Sequence, residues 1–199
     1  MQVFIFDITK VNDSELHQKA DFLSDTEKIR LSNMISVKRQ KEFILGHFLL
    51  RRLLCEIFDI PMEKALVETL KTGALTLPLL PDVYASISHT IERLAIAVGN
   101  VPVGIDIEKM VPRDNFEALL GQIDSVGKAK HLMDLGMPMQ EAFYRLWCQR
   151  EAMYKLKSQK ELFHPASYYK QHEKFMLCCA CAEQTEIEWI IQDLKNYDV

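Results

Sequence analysis

Two carboxylates stand two residues apart in VPVGIDIEKM, residues 101–110. Val101, Val103, Ile105 and Ile107 alternate there with Pro102, Gly104, Asp106 and Glu108, the period-two pattern of a strand with one buried face. Asp106 and Glu108 then project from one face, roughly 6.5–7 Å apart along the strand. Hard oxygen donors so spaced can grip one divalent cation, with magnesium or manganese favoured over zinc. A plain solvated strand face carries the same pattern, so the pair alone decides nothing. Gly104 adds a hint, because a glycine inside a strand marks the close approach of a ligand or of another backbone.

A second cluster lies in WCQREAMYK, residues 147–155, where Trp147, Glu151 and Lys155 recur at i+4 and share one face of a helix. Glu151 ahead of Lys155 is the favourable order for an ordinary surface ion pair. That accounts for the pair but not for Trp147 in line with it, since an indole normally faces a core. A carboxylate and an ammonium beside an aromatic anchor suit a partly enclosed site for a metal and a phosphate. In SISHT, residues 86–90, Ser88 and His89 are adjacent and face opposite ways on a strand. They cannot act together as nucleophile and base, and no G-x-S-x-G elbow supports a serine hydrolase. His89 is either structural or a phosphate contact. Across residues 28–52 the bases Lys28, Arg30, Lys38, Arg39, Lys41, Arg51 and Arg52 face a single acid, Glu42. Such a patch is a solvated helix face or a site for a polyanion or acidic partner. Neither a Walker loop nor G-x-G-x-x-G is present to make it a conventional nucleotide site.

The elements that must position these residues follow from periodicity. A strand is expected near 2–8, a helix near 13–21, and helical structure over 25–57 with a break near Ser36. PMEKALVET reads as a short helix or helix-to-strand passage, and the chain turns between Pro78 and Pro81. VYASISH, RLAIAV and VPVGIDIE form an expected three-strand meander, with Gly99 and Asn100 as a two-residue connection. Helices are expected over 114–132 and 138–158, and KFMLCCACA with EIEWIIQD as a final antiparallel pair. Helices precede strands in each half. The expected fold is therefore α+β, two similar halves packed as a pseudodimer, each an antiparallel sheet with helices. The boundary is set at 1–102 and 103–199.

The 199 residues are 48% apolar and 26% charged, an ordinary globular mix. A net charge of −4 argues against nucleic-acid binding. No apolar run reaches membrane-helix length, and MQVFIFDIT reads as a first strand rather than a signal peptide. Five cysteines, an odd number, point to reduced thiols and a cytoplasmic protein. The CCAC run, Cys178 to Cys181, reads as a buried strand rather than a zinc site.

SISHT, VGIDIEK and WCQREAMYK, in that order, resemble the marks of the 4′-phosphopantetheinyl transferase superfamily: S-H-S/T, G-I-D-I/V-E and W-x-x-K-E-A-x-x-K. GHFLLRRLL is weakly similar to the family's G-x-x-L-L-R helix, so the resemblance spans roughly residues 25–160. Length and the two halves look like the longer pseudodimeric, surfactin-synthetase-activating type. The resemblance implies coenzyme A as substrate, magnesium (manganese being possible) on its pyrophosphate, and an acyl, peptidyl or aryl carrier protein as partner. It further implies a monomer that moves the phosphopantetheine arm to a carrier serine and releases 3′,5′-ADP. By motif position Asp106, Glu108 and Glu151 would hold the metal, Glu151 would take the serine proton directly or through a metal-bound water, and Lys155 would neutralise pyrophosphate charge. Arg51, Ser88, His89, Arg150, Lys155 and, more weakly, Arg30 would contact coenzyme A.

This chain departs from the family pattern in several places. GALTLP, residues 73–78, stands where many relatives carry G-K-P, and has no lysine. Arg150 replaces the usual lysine of W-x-x-K-E-A, keeping the charge but not the proton donor. LKSQKEL replaces a glycine-rich segment after Lys155, and the family's F-S-x-x-E element is not recognisable in 114–130. Two alternatives follow: a diverged binder of coenzyme A or carrier protein that transfers nothing, and a metal-dependent phosphodiester hydrolase.

Overall fold

A computed structural model describes residues 1–11, 16, 18–70, 72–124, 127–159 and 165–197. Among these the strands are β1 (Gln2–Asp7), β2 (Glu68–Thr69), β3 (Leu75–Thr76), β4 (Tyr84–His89), β5 (Arg93–Gly99), β6 (Val103–Lys109), β7 (Ala166–His172), β8 (Phe175–Cys181) and β9 (Glu188–Gln192). The α-helices are α1 (Asp25–Ser32), α2 (Val37–Phe58), α3 (Phe116–Ile123), α4 (Lys128–Asp134) and α5 (Met139–Lys157). Of the helix expected near 13–21, residues 13–15 and 17 lie outside the described residues; Leu16 is helical and a 3-10 turn covers Gln18–Phe22. The break near Ser36 is a fresh helix start: the Ser36 hydroxyl accepts from the Arg39 amide and caps α2. Ser24 and Glu27 form a capping box on α1.

The fold is α+β, with two main sheets. The first runs β4-β5-β1-β9, antiparallel except for the parallel β1–β9 pair, and the second runs β6-β8-β7, antiparallel throughout. Two pairings expected from sequence do not form. The meander stops at β5, because β6 crosses to the second sheet and pairs with β8. The expected final hairpin is also absent: β8 lies between β6 and β7, while β9 returns to β1 and adds a strand from the second half of the chain to the first sheet. Strand β7 had no sequence expectation at all.

Alternation on the strands sorts the core into layers. Phe4 and Phe6 of β1, with Leu94 and Ile96 of β5, face α2 and its Leu49, Leu50 and Leu53. Val3 and Ile5, with Ala95 and Ala97, turn the other way and meet Ile105, Ile107, Leu177 and Cys179 of the second sheet. The outer face of that sheet, with Met176, Cys178 and Ala180, packs on Cys148, Ala152 and Leu156 of α5. The order is thus helix, sheet, sheet, helix. The three clustered cysteines are buried and free, as a buried strand requires.

Gly104 explains how α5 settles so closely on β6. A Cβ there would lie 2.0 Å from the Ala152 carbonyl oxygen and 2.7 Å from the Leu156 amide nitrogen. The close approach foreshadowed by a glycine inside the strand is that of another backbone rather than a ligand. No helix among the described residues is long and apolar enough to cross a membrane.

Candidate functional site

The site grows from the meeting of two sheet edges. Strand β6 is an edge of the second sheet and β4 an edge of the first, and serine hydroxyls join them where no backbone ladder does. The Ile105 amide donates to Ser86 Oγ at 3.1 Å, and the Ile107 amide to Ser88 Oγ at 3.4 Å. Otherwise unpaired amides of a buried edge are thereby satisfied. Ser88 Oγ in turn donates to Asp106 Oδ1 at 2.8 Å.

Helix α5 supplies the opposing wall. Lys155 Nζ donates to the same Asp106 Oδ1 and to the Ile105 carbonyl, each at 2.9 Å. Two turns earlier Trp147 Nε1 donates to Glu108 Oε1 at 3.1 Å. The face shared by Trp147, Glu151 and Lys155 therefore meets the strand carboxylates at both ends. Asp106 is buried, and among the described residues its Oδ2 has no hydrogen-bond partner. Burial pushes the Glu108 carboxyl above the usual range, and the Asp106 charge adds to the shift.

These observations test whether a cation fits. Two hard-oxygen carboxylates on one strand face, one with an orphaned buried oxygen and the other raised by burial and then by its neighbour's charge, have the chemistry of a divalent-cation site. Among the described residues, however, no three acidic, histidine or cysteine side chains draw together as a metal cluster. Glu151 lies on the α5 face between Trp147 and Lys155 and lines the adjoining cleft.

That cleft has a volume of about 350 Å³. Arg30, Arg39, Glu42, Phe43, His47 and His89 line it from one side, and Glu151, Tyr154, Lys155 and Gln159 from the other. His89 turns away from Ser88, as adjacent strand residues must, and its Nδ1 lies 3.2 Å from Glu42 Oε2. Burial lowers the His89 pKa, Glu42 works against that, and the charges of Lys155, Arg39 and Lys38 lower it further. Gln159, in the segment that replaces the family's glycines, bridges both sheet edges. Its Nε2 donates to the Ala85 and Val103 carbonyls, and its Oε1 accepts from the Val103 amide.

Two sequence candidates stand elsewhere. Arg51 is buried in the first half, where Nη1 and Nη2 donate to Glu27 Oε1 and Oε2 at 3.1 and 2.5 Å and Nη1 also to the His47 carbonyl. Its guanidinium is held by a carboxylate and does not line the cleft. Arg150 is exposed and lines a neighbouring depression with Lys128 and Lys157. Sequence reasoning missed His47, Phe43, Tyr154 and Gln159 as cleft residues. The periodicity of α2 and α5 signals only that some face is buried, not which ligand-sized space that face borders.

The family model of the 4′-phosphopantetheinyl transferase superfamily matches residues 102–196. The 4′-phosphopantetheinyl transferase psf-1 of Bacillus pumilus is 27% identical over 161 residues, covering 78% of this chain and 68% of that protein. The transferase gsp of Aneurinibacillus migulanus is 34% identical over 76 residues, 38% of this chain and 31% of that protein. The transferase Sfp of Bacillus subtilis strain 168 is 25% identical over 150 residues, 67% of this chain and 64% of that protein. The chain thus spans between about one third and two thirds of these relatives' own length. These similarities are all to the 4′-phosphopantetheinyl transferase superfamily, with relatives of the Sfp-like type among them.

Proposed function

We propose that the chain transfers the phosphopantetheine arm of coenzyme A to a serine of an acyl, peptidyl or aryl carrier protein and releases 3′,5′-ADP. The observation that carries this reading is the contact of Lys155, a cleft residue, with Asp106, whose second oxygen is buried and free. One charged junction thereby serves both an anion cleft and a cation position. Asp106 and Glu108 would hold a magnesium or manganese ion, with Glu151 as a third acidic group at the cleft wall. Such an ion, when bound, supplies charge neutralisation on the pyrophosphate.

The protein's own groups do the rest. Arg30 and Lys155 offer positive charge to the coenzyme's phosphates, His89 offers a ring N–H as hydrogen-bond donor, and Ser88 fixes the Asp106 carboxylate that orients Lys155. Glu151 takes the proton of the attacking serine hydroxyl. The serine oxygen bonds to the β-phosphorus, the bond from that phosphorus to the bridging oxygen breaks, and 3′,5′-ADP departs with the bonding pair. The depression lined by Arg150, Lys128 and Lys157 shares Glu151 and Tyr154 with the cleft, which supports an approach for the carrier from that side. Domain organisation, on this reading, is two halves, 1–102 and 103–199, with the reaction between them in a monomeric, cytoplasmic enzyme.

The test is incubation with coenzyme A, magnesium and a panel of apo carrier proteins, read by mass spectrometry. At least one carrier gains a single phosphopantetheine arm, and chelation abolishes the gain. No mass gain across the panel overturns the reading.

A further inference from the structure

The cleft contains a carboxylate that the transfer reading does not use. Glu42 is the single acid among the bases of residues 28–52, and it sits on α2 at 7% exposure, lining the cleft. Its Oε1 lies 3.6 Å from Lys38 Nζ and its Oε2 lies 3.2 Å from His89 Nδ1. Arg39 and Lys155 line the same cleft. An anion thus already occupies the centre of a cationic pocket.

Glu42 is a poor device for stability. A buried carboxylate loses hydration, and both its contacts are longer than the 2.7–2.9 Å typical of strong charge-assisted bonds. Lys38 is 56% exposed, so that pair is screened by water. Buried Glu27, by contrast, takes His47 and Arg51 at 2.5 Å each. Glu42 is therefore held loosely, and its cleft-lining partner His89 is one that a phosphate, with its larger charge and additional oxygens, would bind more strongly.

We propose that Glu42 is a built-in competitor of the anion cleft, whose carboxylate occupies His89 until a ligand's phosphate displaces it. This rests on the transfer reading only in naming coenzyme A as the anion. The consequence is weakened binding of every phosphate-bearing ligand, the product 3′,5′-ADP included, so that product held by the same cations leaves readily. The proposal makes Glu42 an affinity-setting residue, not a catalytic one.

The experiment is calorimetric titration of inorganic pyrophosphate and of 3′,5′-ADP into the whole chain and into Glu42→Gln and Glu42→Asp. Glu42→Gln, which keeps the shape and removes the charge, tightens both ligands by roughly 5- to 10-fold. Glu42→Asp keeps the charge and stays within about twofold of the parent. In the transfer assay Glu42→Gln also lowers the KM for coenzyme A and deepens inhibition by 3′,5′-ADP. Binding by Glu42→Gln that is unchanged or weaker overturns the proposal, as does tightening by Glu42→Asp equal to that of Glu42→Gln. If pyrophosphate tightens while the parent chain modifies no carrier, the transfer reading falls and the role of Glu42 stands.

Discussion

Two buried carboxylates, Glu27 in the first half and Asp106 in the second, are each held by a basic side chain, yet they are built to opposite ends. Both oxygens of Glu27 are taken: Oε1 by His47 and Arg51, Oε2 by Arg51 and the Ser24 amide. Asp106 spends one oxygen on Ser88 and Lys155 and leaves the other buried and, among the described residues, unpartnered. The first cluster is closed and welds α1 to α2. The second is open, beside a lysine that is 30% exposed at a cleft. A buried charge whose lone pairs are all satisfied has nothing left to offer a ligand; one left incomplete calls for an explanation. On this criterion Arg51, chosen from its motif position, belongs to the framework.

The sharpest way to break the comparison is Glu27→Gln. It strips the counter-charge from a guanidinium only 3% exposed, and a buried pair broken on one side costs about 3–5 kcal/mol. Urea denaturation shows that loss, while the folded fraction keeps its kcat. Burial alone would raise the Glu27 pKa, but the hydrogen bonds and charges of His47 and Arg51 outweigh it and hold it at about 2, against an ordinary 4.5. Between these values the unfolded chain binds a proton that the folded chain refuses. The stability due to Glu27 is thus complete above pH 4.5 and fades as pH falls toward 2. Glu27→Gln flattens that part of the acid profile; a profile with the same slope in the variant would locate the acid lability elsewhere.

Asp106→Asn is the counterpart. The amide keeps the shape but not the charge, and transfer falls by about 10²–10³-fold in kcat/KM, or about 2.7–4 kcal/mol of transition-state stabilisation. The urea midpoint moves far less than for Glu27→Gln. A variant that unfolds as readily as Glu27→Gln and still transfers would erase the distinction between open and closed clusters.

The residues of the open cluster were legible in the sequence because local chemistry sets them. Alternation placed Asp106 and Glu108 on one face, and i+4 spacing placed Trp147, Glu151 and Lys155 on another. Their partners were not legible. The departure of β6 from the meander depends on the Ser86 and Ser88 hydroxyls meeting its amides, and on the bare face at Gly104 that receives α5. The β1–β9 pairing joins the two ends of the chain, and no local pattern reports that. Strand β7 is half-buried along most of its length and lacks a clean alternation. Gly104→Ala tests this account. Its Cβ collides with the Ala152 carbonyl, and backbone on both sides must shift, costing about 1–3 kcal/mol. Since the shift separates α5 from β6, kcat falls as well, because Lys155 loses register with Asp106.

The smallest expected effects separate framework from chemistry within a single strand. Ser86 and Ser88 project from the same face of β4, and each accepts one amide of β6. Replacing either by Ala orphans that amide and costs about 0.5–1.5 kcal/mol of stability. Ser88 alone also donates to Asp106 Oδ1, so only Ser88→Ala removes a bond that fixes the carboxylate. Thermal unfolding should therefore rank the two variants as equals. The kcat/KM for coenzyme A should fall by up to about tenfold in Ser88→Ala and stay at the parent value in Ser86→Ala. Equal kinetic losses would mean that the edge-to-edge join, rather than the hold on Asp106, is what the serines contribute to the site.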